Sequence, residues 1–157
     1  MNDQILIEKA KEGLKEKILN IANPAPRRIF LKVAVDNLLE TISWLKNEQG
    51  FTHLSTISGV DLGPSFEILY HFANNFCSFT IRTEIPRDNP SLPSICQLIP
   101  GAILYERELQ EMLGLNVQNI PDPRPLLLPD DWPAGNYPLR KDWKFERPTE
   151  IIPGGKK

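Results

Sequence analysis

Three carboxylates in one predicted helix are the first residues of this sequence that could do chemistry. Glu106, Glu108 and Glu111 lie within a short stretch, and the last two are one helical turn apart. At that distance two carboxylates could share a proton or bind a metal ion. The alternative is a solvated helix face on which Arg107 pairs with Glu111. Because no histidine lies nearby in sequence, we favour the solvated face.

A second acidic pair, Asp130 and Asp131, lies between Pro129 and Trp132. It could act as a general base or hold a metal, but an Asp side chain accepting backbone N–H groups in a turn explains it more simply. One alternative for the function is therefore a small hydrolase that uses Glu108 with Asp130 or Asp131. That hypothesis predicts carboxylates that converge in a pocket with raised pKa values.

The other chemically active side chains form no recognisable site. His53 and His71 lie in strand-like segments without metal-ligand spacing. Cys77 and Cys96 form no CxxC pair, and we expect two buried free thiols rather than a disulfide or an iron–sulfur cluster. The chain has no glycine-rich phosphate loop. We therefore expect no catalytic residue, no metal site and no cofactor in this chain.

Length and composition restrict the class of protein. The chain has 157 residues, enough for one domain or one domain with a tail. A hydrophobic share of 41% suits a packed core, and a net charge of −2 gives no basic face for nucleic acid. The N-terminus lacks an apolar signal core, and no apolar run approaches the ~20 residues of a membrane span. We expect any membrane association to depend on a partner.

Periodicity in the first two thirds of the chain predicts alternating helices and strands. A first helix, capped by Asn2 or Asp3, is predicted to continue through Ile18 and Ile21 to the prolines at 24 and 26. Further helices are predicted from Asp36 to Gly50 and from Ala102 to Gly114. Strands are predicted at 28–35, 51–60, 65–72 and 76–85, with a short strand at 94–98. This order predicts an α+β two-layer sandwich, with helices on one face of a mostly antiparallel or mixed sheet.

The last third of the chain is the segment that most strongly indicates a function. Gly114 can take the left-handed conformation that ends a helix. Six prolines between 121 and 138 then make regular structure unlikely after Leu115. The segment nevertheless carries Trp132 and Trp143, so it must lie on another surface. We predict an α+β domain at 1–114 and an extended arm at 115–157 that docks on a partner. The alternative is a free-standing binding module whose arm packs on its own domain.

Several motifs in this region carry a family resemblance. They are Glu106-Arg107-Glu108 followed by Gly114, then PDPR at 121–124, LLLPDDW at 126–132 and PLRKDW at 138–143. They resemble the family of the C subunit of NADH–quinone oxidoreductase (complex I) and the related subunit of energy-converting membrane-bound hydrogenases. The specific similarity covers residues 93–143, and the rest of the chain agrees in element order only.

The resemblance implies a non-catalytic, peripheral scaffold subunit of a membrane-attached electron-transfer complex. Such a subunit belongs to an oxidoreductase complex but has no active site or redox centre of its own. It would dock on the large quinone-site or nickel–iron subunit, on the cytoplasmic side of the cell membrane. The resemblance and the two aromatic anchors together give a predicted partner interface of Glu106, Arg107, Glu108, Asp122, Arg124, Trp132, Leu139, Arg140, Lys141, Asp142 and Trp143.

The sequence also departs from the complex I pattern at four positions. Ile120 and Tyr137 stand where complex I members tend to have histidine, and Pro125 stands where a second arginine is usual. Glu111 stands where the acidic residue is usually aspartate. These departures favour a hydrogenase-type or divergent complex.

Overall fold

A five-stranded sheet organises the domain in a computed structural model that describes residues 2–144. The elements, in chain order, are α1 (Asp3–Leu14), β1 (Ile18–Ala25), β2 (Arg28–Val33), α2 (Leu38–Asn47), β3 (His53–Asp61), β4 (Ser65–Ala73), β5 (Ser78–Pro86), β6 (Ser91–Pro93), α3 (Ile103–Leu113) and β7 (Asn116–Gln118). Short 3₁₀ turns occupy Lys15–Lys17, Val35–Asn37 and Pro100–Ala102.

The large sheet is mixed and has the strand order β1-β2-β5-β4-β3. Its central pair, β2 and β5, is parallel, and the other neighbours are antiparallel. The strands β6 and β7 pair in parallel as a separate two-stranded sheet. The predicted α+β fold class is confirmed, and β3 and β1 are the two edges of the main sheet.

The core lies on one face of this sheet, under all three helices. The strand register places Phe66 beside Ile85 and Tyr70 beside Ile81 on that face. The α2 residue Trp44 lies 6.4 Å from the Phe79 ring, and α1 packs on the same tryptophan through Gly13. Because charged residues cover the other face, the molecule has two layers. The strand residues that are fully buried in the core are Ile29, Leu31, Val33, Phe66, Ile68, Tyr70, Phe72, Phe79 and Ile81.

The opposite face of the sheet carries cross-strand ion pairs. Arg82 of β5 forms a bidentate pair with Glu67 of β4. Lys32 of β2 lies 2.7 Å from Glu84 of β5. Opposite charges on neighbouring strands stabilise a sheet modestly and keep this face polar.

The first helix is shorter than predicted. It ends at Leu14, and the residues predicted to extend it form β1 instead. Ile18 pairs with Val33 and Ile21 pairs with Leu31, with an irregularity in the register between them. That irregularity places two residues three apart on the same face of a strand, which is the spacing that also suits a helix. The predicted helix through Ile21 was therefore wrong.

Two short elements near α3 also differ from the prediction. The strand expected at 94–98 lies earlier, at Ser91–Pro93. Its parallel partner β7 forms directly after Leu115, where no regular structure was expected. Parallel pairing of residues 25 apart is a tertiary contact that no local pattern reveals.

Gly59 provides a test of the packing between α3 and the sheet. A Cβ atom at this position would lie 2.3 Å from Leu113 and 2.8 Å from Leu109. We expect Gly59→Ala to lower the free energy of unfolding by about 1–3 kcal/mol, because the crowded leucines must move. Chemical denaturation measures this loss. The control is Gly101→Ala, where a Cβ meets nothing within 4 Å; equal losses at both sites would contradict the packing argument.

Candidate functional site

The predicted site residues gather around α3 and the arm. The helix ends at Gly114, which has φ +68° and takes the left-handed conformation predicted for it. A Cβ at Gly114 would lie 2.4 Å from the Tyr137 ring and 2.7 Å from the Arg140 guanidinium. Tyr137 and Arg140 of the arm therefore pack on the C-terminal end of α3, and only a residue without a side chain fits at position 114.

Glu111 holds residues 126–128 of the arm against α3. Its carboxylate accepts hydrogen bonds from the backbone N–H groups of Leu126, Leu127 and Leu128, at 3.2, 2.7 and 3.0 Å. Three consecutive amides around one carboxylate form a concave anion site. The described part of the arm thus packs on its own domain along this helix.

Arg107 binds the same stretch of arm through its carbonyl groups. Its Nε donates to the Arg124 carbonyl at 2.7 Å, and its Nη2 donates to the Pro125 carbonyl at 2.6 Å. The predicted Arg107–Glu111 pair is therefore wrong, because both side chains bind the arm instead of each other. Asp122 completes this contact, and the pKa of its carboxyl is held well below the usual range by hydrogen bonds from Arg124 and by the Arg107 charge.

Arg140 closes the C-terminal end of α3. Its Nε donates to the Leu113 carbonyl at 2.7 Å, which satisfies one of the helix-end acceptors. The guanidinium carbon lies 4.3 Å from the centre of the Tyr137 ring and 5.3 Å from that of Phe66. A cation at a helix C-terminus, placed between two aromatic rings, is favoured by both the helix dipole and the ring quadrupoles.

Asp61, at the end of β3, binds the arm at Lys141. Its carboxylate accepts bonds from Arg87 at 2.7 Å, from the Lys141 amide at 2.9 Å and from the Gly63 amide at 2.8 Å. Arg87 also pairs with Asp142 at 2.8 Å. Burial would raise the pKa of Asp61, but these hydrogen bonds and the Arg87 charge outweigh it and lower the pKa from 3.8 to about 2. Sequence reasoning missed both Asp61 and Arg87, because residues 80 positions apart meet here without any local motif.

Glu106 has an internal role. It was predicted on the outer helix face and at the partner interface, but it is 1% exposed. Its carboxylate accepts bonds from the Ser94 hydroxyl at 2.7 Å, the Ile95 amide at 2.6 Å and the Cys96 thiol at 3.2 Å. Burial, reinforced by Glu106, raises the pKa of Cys96 to about 11, so this thiol is not a reactive one. Glu106 therefore fixes the loop that precedes α3.

The predicted aromatic anchors lie together in the arm. The rings of Trp132 and Trp143 are 5.9 Å apart, and the Trp132 indole N–H donates to the Asn136 carbonyl at 2.8 Å. Both tryptophans are half-buried, and a cavity of about 250 Å³ lies beside Trp132. Leu127 and Leu139 remain 56% and 54% exposed. The arm thus presents large apolar side chains outward although its backbone is fixed to the domain.

The carboxylates of the hydrolase hypothesis do not converge. Glu108 lines a groove beside β3, whereas Asp130 lines the cavity beside Trp132. Asp130 and Asp131 are both exposed. Within residues 2–144, no group of three or more His, Cys, Asp or Glu side chains could hold a metal ion. This geometry does not support the hydrolase alternative.

Comparisons with known proteins agree with the resemblance carried by the motifs. The family model described as the 30 kDa subunit of respiratory-chain NADH dehydrogenase matches residues 31–149. The C subunit of F420H2 dehydrogenase from Methanosarcina mazei is 34% identical, over 92% of this chain and 93% of that protein. Formate hydrogenlyase subunit 5 from Escherichia coli is 35% identical over 83% of this chain, which corresponds to only 24% of that protein's length.

A solved structure has the same fold. It is a chain of the membrane-bound sulfane sulfur reductase, described as an archaeal respiratory membrane complex. The two structures superpose with a TM-score of 0.80 at 22% identity, over 90% of this chain and 85% of that one. At this level of identity the likeness supports the fold. Within the described chain, every helix is too short or too polar to cross a bilayer.

The Asp61 cluster predicts a defined dependence of stability on pH. Because the pKa of Asp61 is lower in the folded chain, its stabilising contribution is complete above pH 3.8 and is lost as the pH falls through about 2. We expect Asp61→Asn to cost about 1.5–3 kcal/mol at pH 7, the range for hydrogen bonds to a charged group. Denaturant unfolding at several pH values should show this difference shrinking as the pH falls from about 4 to about 2. A difference that stays constant over that whole range would exclude the assigned role.

The Glu111 contact predicts how firmly the arm is held. Glu111→Gln removes the charge and leaves one carbonyl oxygen for three amides, so we expect the arm to open more often. The expected increase in the rate of limited proteolysis within residues 119–144 is roughly 5- to 30-fold, with the domain still folded. Glu108→Gln, an identical change on the same helix, is the control and should leave the rate unchanged. Equal cleavage of both variants would argue against Glu111 as the residue that holds the arm.

Proposed function

The chain belongs to the family of the 30 kDa subunit of respiratory-chain NADH dehydrogenase, and we propose that it is a non-catalytic scaffold subunit of a membrane-attached electron-transfer complex. The names of its relatives support this proposal, because they are subunits of a dehydrogenase and of a hydrogenlyase. The proposed role is to hold neighbouring subunits in register.

The proposed docking partner is the large quinone-site or nickel–iron subunit. The observation that carries this proposal is the arm, whose backbone is bound by Glu111, Arg107 and Asp61. Its side chains Leu127 and Leu139 nevertheless stay exposed, and Trp132 is only half-buried. A segment fixed in this way loses little conformational entropy when a partner binds it. Formate hydrogenlyase subunit 5 adds support, since the region similar to this chain is joined there to a much longer polypeptide.

The predicted interface residues divide into two groups in this proposal. Glu106 stays inside the domain, and Arg107, Asp122 and Arg140 position the arm through internal bonds. The outward group makes the contacts with the partner, and its charged members set the register of docking more than its affinity. This outward group consists of the exposed Arg124, Leu139, Lys141 and Asp142 together with the half-buried Glu108, Trp132 and Trp143. Asp142 also keeps its internal pair with Arg87.

We place the complex on the inner face of the cell membrane, with this chain attached through its partners. The type of complex is proposed from the sequence. Ile120, Tyr137 and Pro125 depart from the complex I pattern and favour a hydrogenase-type or divergent complex. The gene neighbourhood tests this assignment, because a nickel–iron large subunit with terminal cysteine motifs would identify a hydrogenase.

Two substitutions in the arm test the docking role. Trp132→Ala removes a half-buried aromatic anchor, and we expect binding to the large subunit to weaken by roughly 30-fold or more. Arg140→Ala releases the arm from the end of α3, and we expect weaker assembly together with faster proteolysis of the arm. Both variants should keep the folded domain, as circular dichroism would show. The measurement is the affinity of the purified chain for the co-expressed large subunit.

A matched control comes from the hairpin between β4 and β5. Phe76 is 52% exposed and lies outside the arm, so Phe76→Ala should leave the affinity unchanged. Wild-type affinity of Trp132→Ala and Arg140→Ala would contradict the proposed docking mode. Failure of the wild-type chain to bind the large subunit at all would contradict the proposed function itself.

A further inference from the structure

One edge of the main sheet, β3, lacks most of the features that protect an edge strand. It runs for nine residues, His53–Asp61, without proline, lysine or arginine. After one irregularity between Leu54 and Thr56, its register with β4 is regular to the end. The other edge, β1, contains Pro24 and two breaks in register. Edge strands normally carry prolines, charges or bulges because their unpaired backbone groups otherwise bind other chains.

The backbone groups that face outward from β3 can be identified from the hydrogen-bond pattern. The Leu62 amide donates to the Ser65 carbonyl at 2.9 Å, which fixes the phase of the β3–β4 ladder. In an antiparallel pair the bonded positions alternate, so Ile57 and Gly59 direct their N–H and C=O groups away from β4. The Ser55 carbonyl also faces outward, and it accepts a bond from the Tyr105 hydroxyl at 3.1 Å. Within residues 2–144, no strand pairs with this edge.

A groove of about 230 Å³ lies beside this edge, between β3 and α3, and its lining mixes polar groups of β3 with apolar side chains of α3 and the arm. At its floor, Leu109 and Leu113 pack directly on Gly59, where a side chain would collide with both leucines. Met112 forms part of the wall. Leu139 of the arm also lines the groove and is 54% exposed. Side chains from a strand added beside Ile57 and Gly59 would point alternately into this groove and away from it.

Glu108 gives the groove a charge preference. Of the three glutamates on α3 considered above, Glu106 binds the loop before the helix and Glu111 binds the arm. Glu108 lines the groove, and its carboxylate makes no hydrogen bond or ion pair with any residue in the described part of the chain. A carboxylate in the lining of a groove favours a ligand that places a cation there.

We infer that the β3 edge accepts an extended segment of a partner protein as a sixth strand, with alternate apolar side chains in the groove and a basic residue opposite Glu108. This mode is β-augmentation, in which backbone bonds give affinity and the groove gives specificity. The inference rests on the proposed function for the existence of a partner subunit, and it specifies which surface and which kind of segment bind.

Two other occupants fit the site less well. The chain's own residues after Lys144 contain Pro148 and Pro153, so no proline-free run among them is longer than four residues. A second copy of β3 would bring Ile57, Gly59 and Asp61 to the helix side of the sheet, with one apolar side chain and no lysine or arginine for Glu108. A separate extended segment can satisfy all three features of the site: the unpaired backbone groups of β3, the groove and the Glu108 carboxylate.

Amide hydrogen exchange tests this inference directly. In the isolated full chain, the Ile57 and Gly59 amides should exchange quickly, whereas those of Thr56 and Ser58 should be slow because they bind β4. In the purified complex, we expect exchange at Ile57 and Gly59 to slow by about tenfold or more. Fast exchange at these two amides in an assembled complex would overturn the inference and leave the proposed function intact.

The same measurement separates the other occupants. Protection of Ile57 and Gly59 already present in a dilute monomer would assign the edge to the chain's own tail. Protection that grows with concentration, together with a doubled mass, would assign it to a second copy. Either result overturns the inference. Failure to isolate any complex containing this chain would overturn the proposed function and, with it, the inference.

Substitutions in the groove provide an independent test with a matched control. Leu139→Asp and Glu108→Lys should each weaken binding to a complex prepared without this chain by about tenfold. Leu104→Asp is the control, since Leu104 is similarly exposed at 52% and lies on α3 outside the groove. We expect it to bind within about twofold of the wild type. Equal weakening by all three, or by none, would overturn the assignment of the groove.

Discussion

The structure depends on how the proline-rich arm, whose backbone cannot form a helix or a sheet, satisfies its backbone hydrogen-bonding groups. Between residues 121 and 138, six prolines remove amide donors and prevent regular pairing, but the remaining N–H and C=O groups still need partners. Side chains of the domain supply them. Glu111 accepts three amides of the arm, Arg107 donates to two of its carbonyls, and Asp61 accepts one more amide near its end. The arm has a fixed shape because α3 and the sheet provide these bonds.

This arrangement explains why so many charged residues lie along α3 and the arm. A charge that bonds to backbone groups can position a segment whatever that segment's side chains are, so the side chains stay available for another surface. Arg140 shows the principle, since it bonds to the end of α3 and packs between Phe66 and Tyr137. The charged residues predicted for a partner interface are in part bonded internally, and the most exposed large apolar side chains of the arm are Leu127 and Leu139.

The sequence was most informative where the determining contacts are local. The alternation in β4 and β5 and the end of α3 at Gly114 follow from neighbouring residues, and both were predicted correctly. Glu106 was misplaced because a glutamate is rarely buried, and its three donors lie in a loop that shows no pattern. The Asp61–Lys141 bond and the pairing of β6 with β7 join distant segments. Contacts of that kind depend on the packed fold, and a single sequence contains no local trace of them.

The arm and the sheet edge are parts of one surface. The Leu139 amide donates to the Met112 carbonyl at 3.0 Å, and this bond places the Leu139 side chain at the mouth of the groove beside β3. The next bonds along the arm, from Arg140 to Leu113 and from Lys141 to Asp61, hold that position from both the helix and the end of β3. The groove therefore has its complete wall only when the arm is closed on its own domain. Binding in the groove and closure of the arm are therefore coupled. The free energy by which a bound partner stabilises the closed arm equals the free energy by which arm closure strengthens partner binding.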